Sequence, residues 1–156
     1  VSPAQPTHQL MGVYDPAWCK PVAETLQLLG VEAALVVHGS GLDEVAVHGS
    51  TTAVLLRNGQ ISELTITPEE VGLTRHPIAA LQGADPDDNL VKLQAILAGN
   101  GPEAHNAAVA INAGALAWMF GKCDTIAAGV DMALQVLAER RALAVLEQWE
   151  AISRGT

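Results

Sequence analysis

Basic side chains are scarce in this chain: eight Lys and Arg stand against seventeen Asp and Glu, a formal net charge of −9. That balance disfavours nonspecific attraction to nucleic-acid phosphates or anionic lipid, so neither nucleic acid nor a membrane is expected as a partner. Any phosphate the protein handles must be met by a local site or a metal. Cysteine is limited to Cys19 and Cys123, far apart and without a neighbouring thiol, which argues against a disulfide framework or a zinc knuckle. Both read as packing residues. No apolar run reaches the roughly 18 residues that a membrane span needs, and nothing at the start reads as a secretory signal; the expected location is the cytoplasm. There is no Walker loop, no Gly-rich dinucleotide fingerprint and no Gly-x-Ser-x-Gly elbow.

What is present is the material of one α/β domain. The 156 residues are 49% apolar and 16% charged, enough length for a real core and far from the composition of disorder. The chain opens "VSPAQPTHQL", residues 1–10, an extended, proline-spaced stretch with no Met, and is expected to be a piece of something longer. Asp15-Pro16 combines an N-cap with proline at the first helical position. Trp18, Val22, Leu26 and Leu29 then fall on one face before Gly30, which predicts an amphipathic helix. Residues 33–37 follow without alternation, a buried strand, and helix-then-strand is the order of a parallel sheet unit. In "TTAVLLRNGQISELTIT" two strand-like runs meet at Asn58-Gly59, a hairpin whose turn residues tolerate positive φ.

The second half reads as helical. Thr67-Pro68-Glu69-Glu70 carries a capping-box pattern and predicts a short helix or turn. Asp85-Pro86-Asp87-Asp88 precedes a helix with Leu90, Leu93 and Leu97 on one face, ended by Gly99. "PEAHNAAVAINAGALAWMFGK" is apolar or small nearly all round, as befits the core helix. Ile126, Val130, Leu134 and Leu137 mark a further helix capped by Asp124 or Thr125, and Leu143 with Leu146 extends the pattern toward the end.

The chemistry concentrates in "ALVVHGSGLDEVAVHGS", residues 34–50. Here a buried strand runs into glycines and then into two adjacent carboxylates, Asp43 and Glu44. Two acids at the mouth of a parallel strand suit Mg²⁺, a hard cation that takes one or two carboxylates plus waters and phosphate oxygens. Acids after a glycine turn are also ordinary solvated loop residues. "VHGS" occurs twice, but two copies of four residues make no structural repeat, and His38 and His48 read as satisfied by backbone more readily than as zinc ligands. His105 and Asn106 read as surface residues in the first turns of a helix. Asn112, inside the apolar helix, needs hydrogen-bond partners and reads as a core amide. Spacing alone stops at an α/β domain with a candidate metal-binding acidic pair.

Five stretches taken together resemble a known family. Pro3 to Tyr14, "VVHGSGLDEV", "TPEEVGL", "GADPDDN" and "INAGALA" resemble, in order and spacing, segments of anthranilate phosphoribosyltransferase, across the whole chain. The resemblance implies the carboxyl-terminal portion of a nucleoside phosphorylase/phosphoribosyltransferase-type α/β domain, with the amino-terminal helical domain and the pyrophosphate loop absent from residues 1–156. It implies Mg²⁺ as cofactor, held by Asp43 and Glu44. It also implies phosphoribosyl pyrophosphate and anthranilate as substrates, a homodimer in the intact enzyme, and a companion chain wherever the other half is a separate polypeptide. No catalytic or substrate-contacting residue carries over to this stretch, and the chain alone is expected to be inactive. The alternatives are a non-catalytic binding paralogue and a related nucleoside phosphorylase, separated by upstream sequence. Three departures from the family pattern stand out. Ser2 replaces a usual Asn, which puts a local turn in doubt; Ala46 replaces a Ser that often follows the acidic pair. Glu139-Arg140-Arg141 replaces a Ser-Gly break, which suggests that two helices run together there.

Overall fold

The computed structural model describes residues 6–155; the expectations for Ser2 and for the stretch from Pro3 to Gln5 lie outside them. Four strands form one sheet in the order β1 (His8–Gly12), β2 (Ala33–His38), β3 (Thr51–Arg57) and β4 (Gln60–Ile66). β1 and β2 are parallel and joined by α1 (Cys19–Leu28), while β2–β3 and β3–β4 are antiparallel. The crossover arises because Asp15 caps a 3₁₀ turn, its carboxylate accepting from the Ala17 N–H at 2.9 Å, and Gly30 ends α1 in the left-handed region at φ 79°. The hairpin turns at Asn58 and Gly59, both at positive φ (53° and 70°), which matches the right-handed twist of the strands it joins.

Alternation along β2 explains its unbroken apolar run. Ala34 and Val36 face α1 with Cys19, Ala23, Leu26, Val54 and Leu56, whereas Leu35 and Val37 face a second core with Ile111, Ala115 and Val130. Each such fully buried Leu or Val contributes about 1.5–3 kcal/mol. The second core is closed by α3 (Glu103–Met119) and α4 (Ile126–Ala138). These two helices cross where Gly114 meets Gly129; a Cβ on Gly129 would strike the Gly114 carbonyl oxygen. From β3, Arg57 donates to the Trp118 and Met119 carbonyls at 2.8 and 3.0 Å and lies 4.7 Å over the Trp118 ring. It thereby gives a donor to the Met119 carbonyl at the end of α3 and a second one to the Trp118 carbonyl, which also accepts the Gly121 N–H at 3.0 Å. Among the described residues no helix is long and apolar enough to cross a membrane, and both cysteines are free, Cys19 buried and Cys123 half-buried.

Three expectations need correction. The buried face of α1 is Cys19, Ala23 and Leu26, with Trp18 and Leu29 exposed, because the α-helix starts only after the 3₁₀ turn and its inward stripe is set by the close approach of Ala23 to the sheet. In α2 (Pro86–Leu97) the buried side chain is Ile96, while Leu90 and Leu93 are exposed; the helix touches the rest of the molecule mainly near its carboxyl end. The last two helices do not run together. α4 ends at Ala138 and α5 (Arg141–Ser153) starts anew, with Arg140 in the left-handed region at φ 57°. The break persists without its glycine, so Arg140 carries the conformational cost. Arg140→Gly should therefore raise stability by about 0.5–1 kcal/mol, the left-handed penalty less the added entropy of an unfolded glycine; urea denaturation of the two proteins measures it.

Candidate functional site

The acidic pair lies on a loop, residues 39–50, whose backbone is tied down at nearly every step. β2 delivers the chain to Gly39, and a tight turn follows in which Ser40 and Gly41 both have positive φ (51° and 99°). Gly39 and Leu42 exchange both backbone hydrogen bonds across it, at 2.8 and 3.2 Å. Asp43 and Glu44 come next, both exposed. Their backbone rests on two glycines from adjacent strand ends: a Cβ at Gly12 would collide with the Asp43 carbonyl oxygen, and one at Gly39 with that of Glu44. Those positions tolerate no side chain.

Beyond the acids the loop turns inward. The side-chain oxygen of Asn112, in mid-α3, accepts the Val45 N–H at 2.9 Å, and its amide donates to the Val45 carbonyl at 3.0 Å and to the Ala108 carbonyl at 2.9 Å. The buried Thr51 hydroxyl accepts the Ala46 N–H at 2.9 Å. Val45, Ala46 and Val47 are fully buried. One carboxamide thus fixes where the chain leaves the acidic pair and enters the core. Asn112 is a structural amide, as its place in an apolar helix suggests, and its partner is the acidic loop itself.

The two histidines are engaged in the same bracing. The Nε2 of His38 accepts the Gly41 N–H at 3.1 Å, which leaves Nδ1 to donate to the Val13 carbonyl at 3.0 Å. His48 Nε2 lies 3.1 Å from the Ser40 carbonyl, and the Ser40 hydroxyl donates to the Ser50 carbonyl at 2.7 Å. The two "VHGS" stretches therefore interlock with each other. Among the described residues no group of three or more His, Cys, Asp or Glu is placed to hold a metal, so Asp43 and Glu44 stand as a pair. Partial desolvation, and then the Asp43 carboxylate beside it, push the Glu44 carboxyl above the ordinary Glu range, with His48 pulling part of the way back.

His105 and Asn106 are half-buried rather than on the surface. The Asn106 amide donates to the Gly101 carbonyl at 3.0 Å, while Asn106 Oδ1 and His105 Nδ1 are buried without a hydrogen-bond partner. α3 sinks its first turn against the rest of the molecule, which polar composition in that turn did not reveal.

A parallel strand pair with an acidic loop at its carboxyl end is the arrangement of α/β enzymes that bind ligands at strand ends. Residues 1–143 match the family model described as the glycosyl transferase family a/b domain, and the chain belongs to that family. It is 46% identical over 157 residues to the anthranilate phosphoribosyltransferase of Aeromonas salmonicida, a match covering 97% of this chain and 47% of that protein. It is 48% identical over 154 residues to that of Sorangium cellulosum, covering 99% and 44%. The chain thus spans about half the length of these relatives. Among solved structures, the anthranilate phosphoribosyltransferase of Thermus thermophilus superposes with a TM-score of 0.82 at 38% identity, over 92% of this chain and 42% of that one. The Saccharomyces cerevisiae enzyme, solved in complex with PRPP and Mg, gives a TM-score of 0.80 at 23% identity over 90% and 41%, a likeness of fold.

Removal of the Asn112 carboxamide should leave the Val45 N–H and carbonyl without their partner. Asn112→Ala is expected to cost about 2–3 kcal/mol, the penalty for unpaired backbone polar groups plus lost hydrogen bonds. Urea denaturation with an unchanged m-value would show that stability alone has moved.

Proposed function

We propose that this chain contributes the metal loop of a phosphoribosyl transfer, from phosphoribosyl pyrophosphate to the amine of anthranilate with release of pyrophosphate. The observation that carries this reading is the loop itself: two outward carboxylates held rigidly at a strand's carboxyl end, with both neighbouring imidazoles turned to backbone partners. The names of the relatives, all anthranilate phosphoribosyltransferases, supply the substrate class.

The donor set fits Mg²⁺. Two carboxylates and no thiolate favour a hard cation, which takes such a pair together with water and phosphate oxygens. Glu44 also stands in an environment that disfavours its own charge, a cost that a bound divalent cation would offset. Asp43 and Glu44 would hold the ion, and the chemistry it would supply there is neutralisation of charge on the pyrophosphate leaving group. Neither acid acts as a general base. His38, Asn112 and Thr51 keep the loop in one conformation, so that the carboxylates need little reorganisation to bind. Positioning of the ribose and of the aromatic amine falls to the remainder of the family polypeptide, in a companion half or the same longer chain, and the intact enzyme is a homodimer. Tested alone, the 156-residue polypeptide is expected to show no turnover, since catalysis requires both reactants to be oriented together.

In enzyme assembled from both halves, Asp43→Ala or Glu44→Ala should raise the Mg²⁺ concentration giving half-maximal donor binding by at least about tenfold, equivalent to ~1.4 kcal/mol. Unchanged values in both single variants would remove the pair from the site. The pH dependence has a definite sign. The raised Glu44 pKa means that Mg²⁺ binding weakens with acidification sooner than for an ordinary Glu. In metal-free protein the same shift gives a stability contribution that is full below the unfolded-state pKa and lost as pH rises through the folded one. Glu44→Gln should thus leave Tm at neutral pH equal or higher while weakening the metal, as thermal melts with and without Mg²⁺ would show.

A further inference from the structure

The acid pair is suspended between two polar side chains. One residue past Glu44 the Asn112 carboxamide takes both polar groups of Val45, and two residues before Asp43 the His38 ring takes the Gly41 N–H at 3.1 Å. Between these points the Asp43 and Glu44 carbonyls pack on Gly12 and Gly39, contacts that limit how near the loop comes but carry little direction. Hydrogen bonds are directional. The turn closes without help, because Gly39 and Leu42 exchange both backbone hydrogen bonds across it. The bond from Gly41 to His38 therefore sets how an already closed turn stands on the sheet.

The other side of the ring does a different job. The Ala33 N–H donates to the Thr7 carbonyl and the Val13 N–H to the Val37 carbonyl, so in a continuing parallel ladder the Val13 carbonyl would receive the Gly39 N–H. That N–H has turned to Leu42. His38, the last residue of β2, supplies the missing donor from its Nδ1, 3.0 Å from the Val13 carbonyl. A carbonyl only accepts and a backbone N–H only donates, so between Val13 and Gly41 the ring carries a single proton, on Nδ1. Its Nδ1 side finishes the ladder, while its Nε2 side orients the turn that leads to Asp43.

We propose that His38 is a positioning residue of the metal loop: the neutral ring acts through Nε2 and the Gly41 N–H to set the direction in which Asp43 and Glu44 present their carboxylates. This rests on the metal-loop reading, since the direction matters only to an ion that both acids meet. The two bonds separate by substitution. A Gln amide reaches about as far as Nε2 and an Asn amide about as far as Nδ1, and each carries a donor and an acceptor. His38→Gln keeps the Gly41 bond and loses the Val13 bond; His38→Asn does the reverse. Gly41 is exposed, so water takes its N–H in His38→Asn and the fold loses little.

The test measures both variants in enzyme assembled from the two halves, reading Tm and the Mg²⁺ concentration that gives half-maximal donor binding. Nitrogen-15 shifts of the His38 ring are read in the metal-free 156-residue chain, which requires neither a variant nor turnover. The expected ring has its proton on Nδ1 and a bare Nε2. His38→Asn should keep Tm near that of the parent while raising the Mg²⁺ requirement at least about fivefold, the worth of one hydrogen bond. His38→Gln should lower Tm and hold the Mg²⁺ requirement within about twofold. A merely structural histidine would make the two orders run together. A Mg²⁺ requirement that follows Tm across the variants, an unchanged requirement in His38→Asn, or a ring protonated on Nε2 would each overturn the proposal. Unchanged values in Asp43→Ala and Glu44→Ala would bring down the metal-loop reading and this positioning role together. An effect of those two with none of His38→Asn would overturn the positioning role alone.

Discussion

The carboxamide of Asn112 pairs with both polar groups of Val45, much as a neighbouring strand would, and the geometry of the acidic loop depends on that pairing. Residues after a tight glycine turn have no repeating ladder to hold them, yet a segment that dives into an apolar core must leave no backbone group unpaired. Asn112 answers both needs at once. Its third bond, to the Ala108 carbonyl one turn back, fixes the side-chain rotamer. The helix that bears it is in turn clamped between the sheet and α4, with Gly114 and Gly129 in backbone contact. The loop therefore inherits the rigidity of the core helix.

Electrostatics explains why such bracing is needed. Two adjacent carboxylates in a protein of net charge −9 repel each other, and Glu44 is held above the ordinary Glu range first by partial burial and then by its neighbour Asp43. A freely moving loop would relieve it by turning the acids apart. Here Gly12 and Gly39 lie against the Asp43 and Glu44 carbonyls, His38 bridges Val13 to Gly41, and Ser40 ties to Ser50. The folding free energy of the domain thus holds the two carboxylates side by side in one conformation, the kind of fixed arrangement that preorganised electrostatic sites use.

How much of this is legible in the sequence divides along physical lines. Local rules read well. Asn58-Gly59, the Thr67 to Glu70 capping box with its 2.8 Å side-chain bond, the Thr125 cap and the core helix all stand where their residues place them, since each depends on neighbours a few positions away. β1 was legible only as an extended stretch, because its partner β2 lies 25 residues further on. The inward stripe of α1 shifted when three residues went into a 3₁₀ turn. Arg140 adopts a glycine's conformation because the packing of α4 and α5 imposes the bend whichever residue stands there. The acidic pair was visible as chemistry but not as geometry: its anchor is 67 residues away, and nothing in an apolar helix says which backbone an amide will reach.

The division between what this stretch builds for itself and what it leaves open follows from the same contacts. Every brace of the acidic loop comes from residues within 12–112, and both faces of β2 are covered by helices from the same chain. The loop needs no outside support to hold its shape. The lateral edge of the sheet beside that loop is different: among the described residues β1 pairs with β2 alone, carries no Asp, Glu, Lys or Arg, and is flanked by the exposed Tyr14, Trp18 and Phe120. A pair of carboxylates can be preformed by one polypeptide when its braces are local, and the strand that ends beside this pair, β1, is itself held in register by β2.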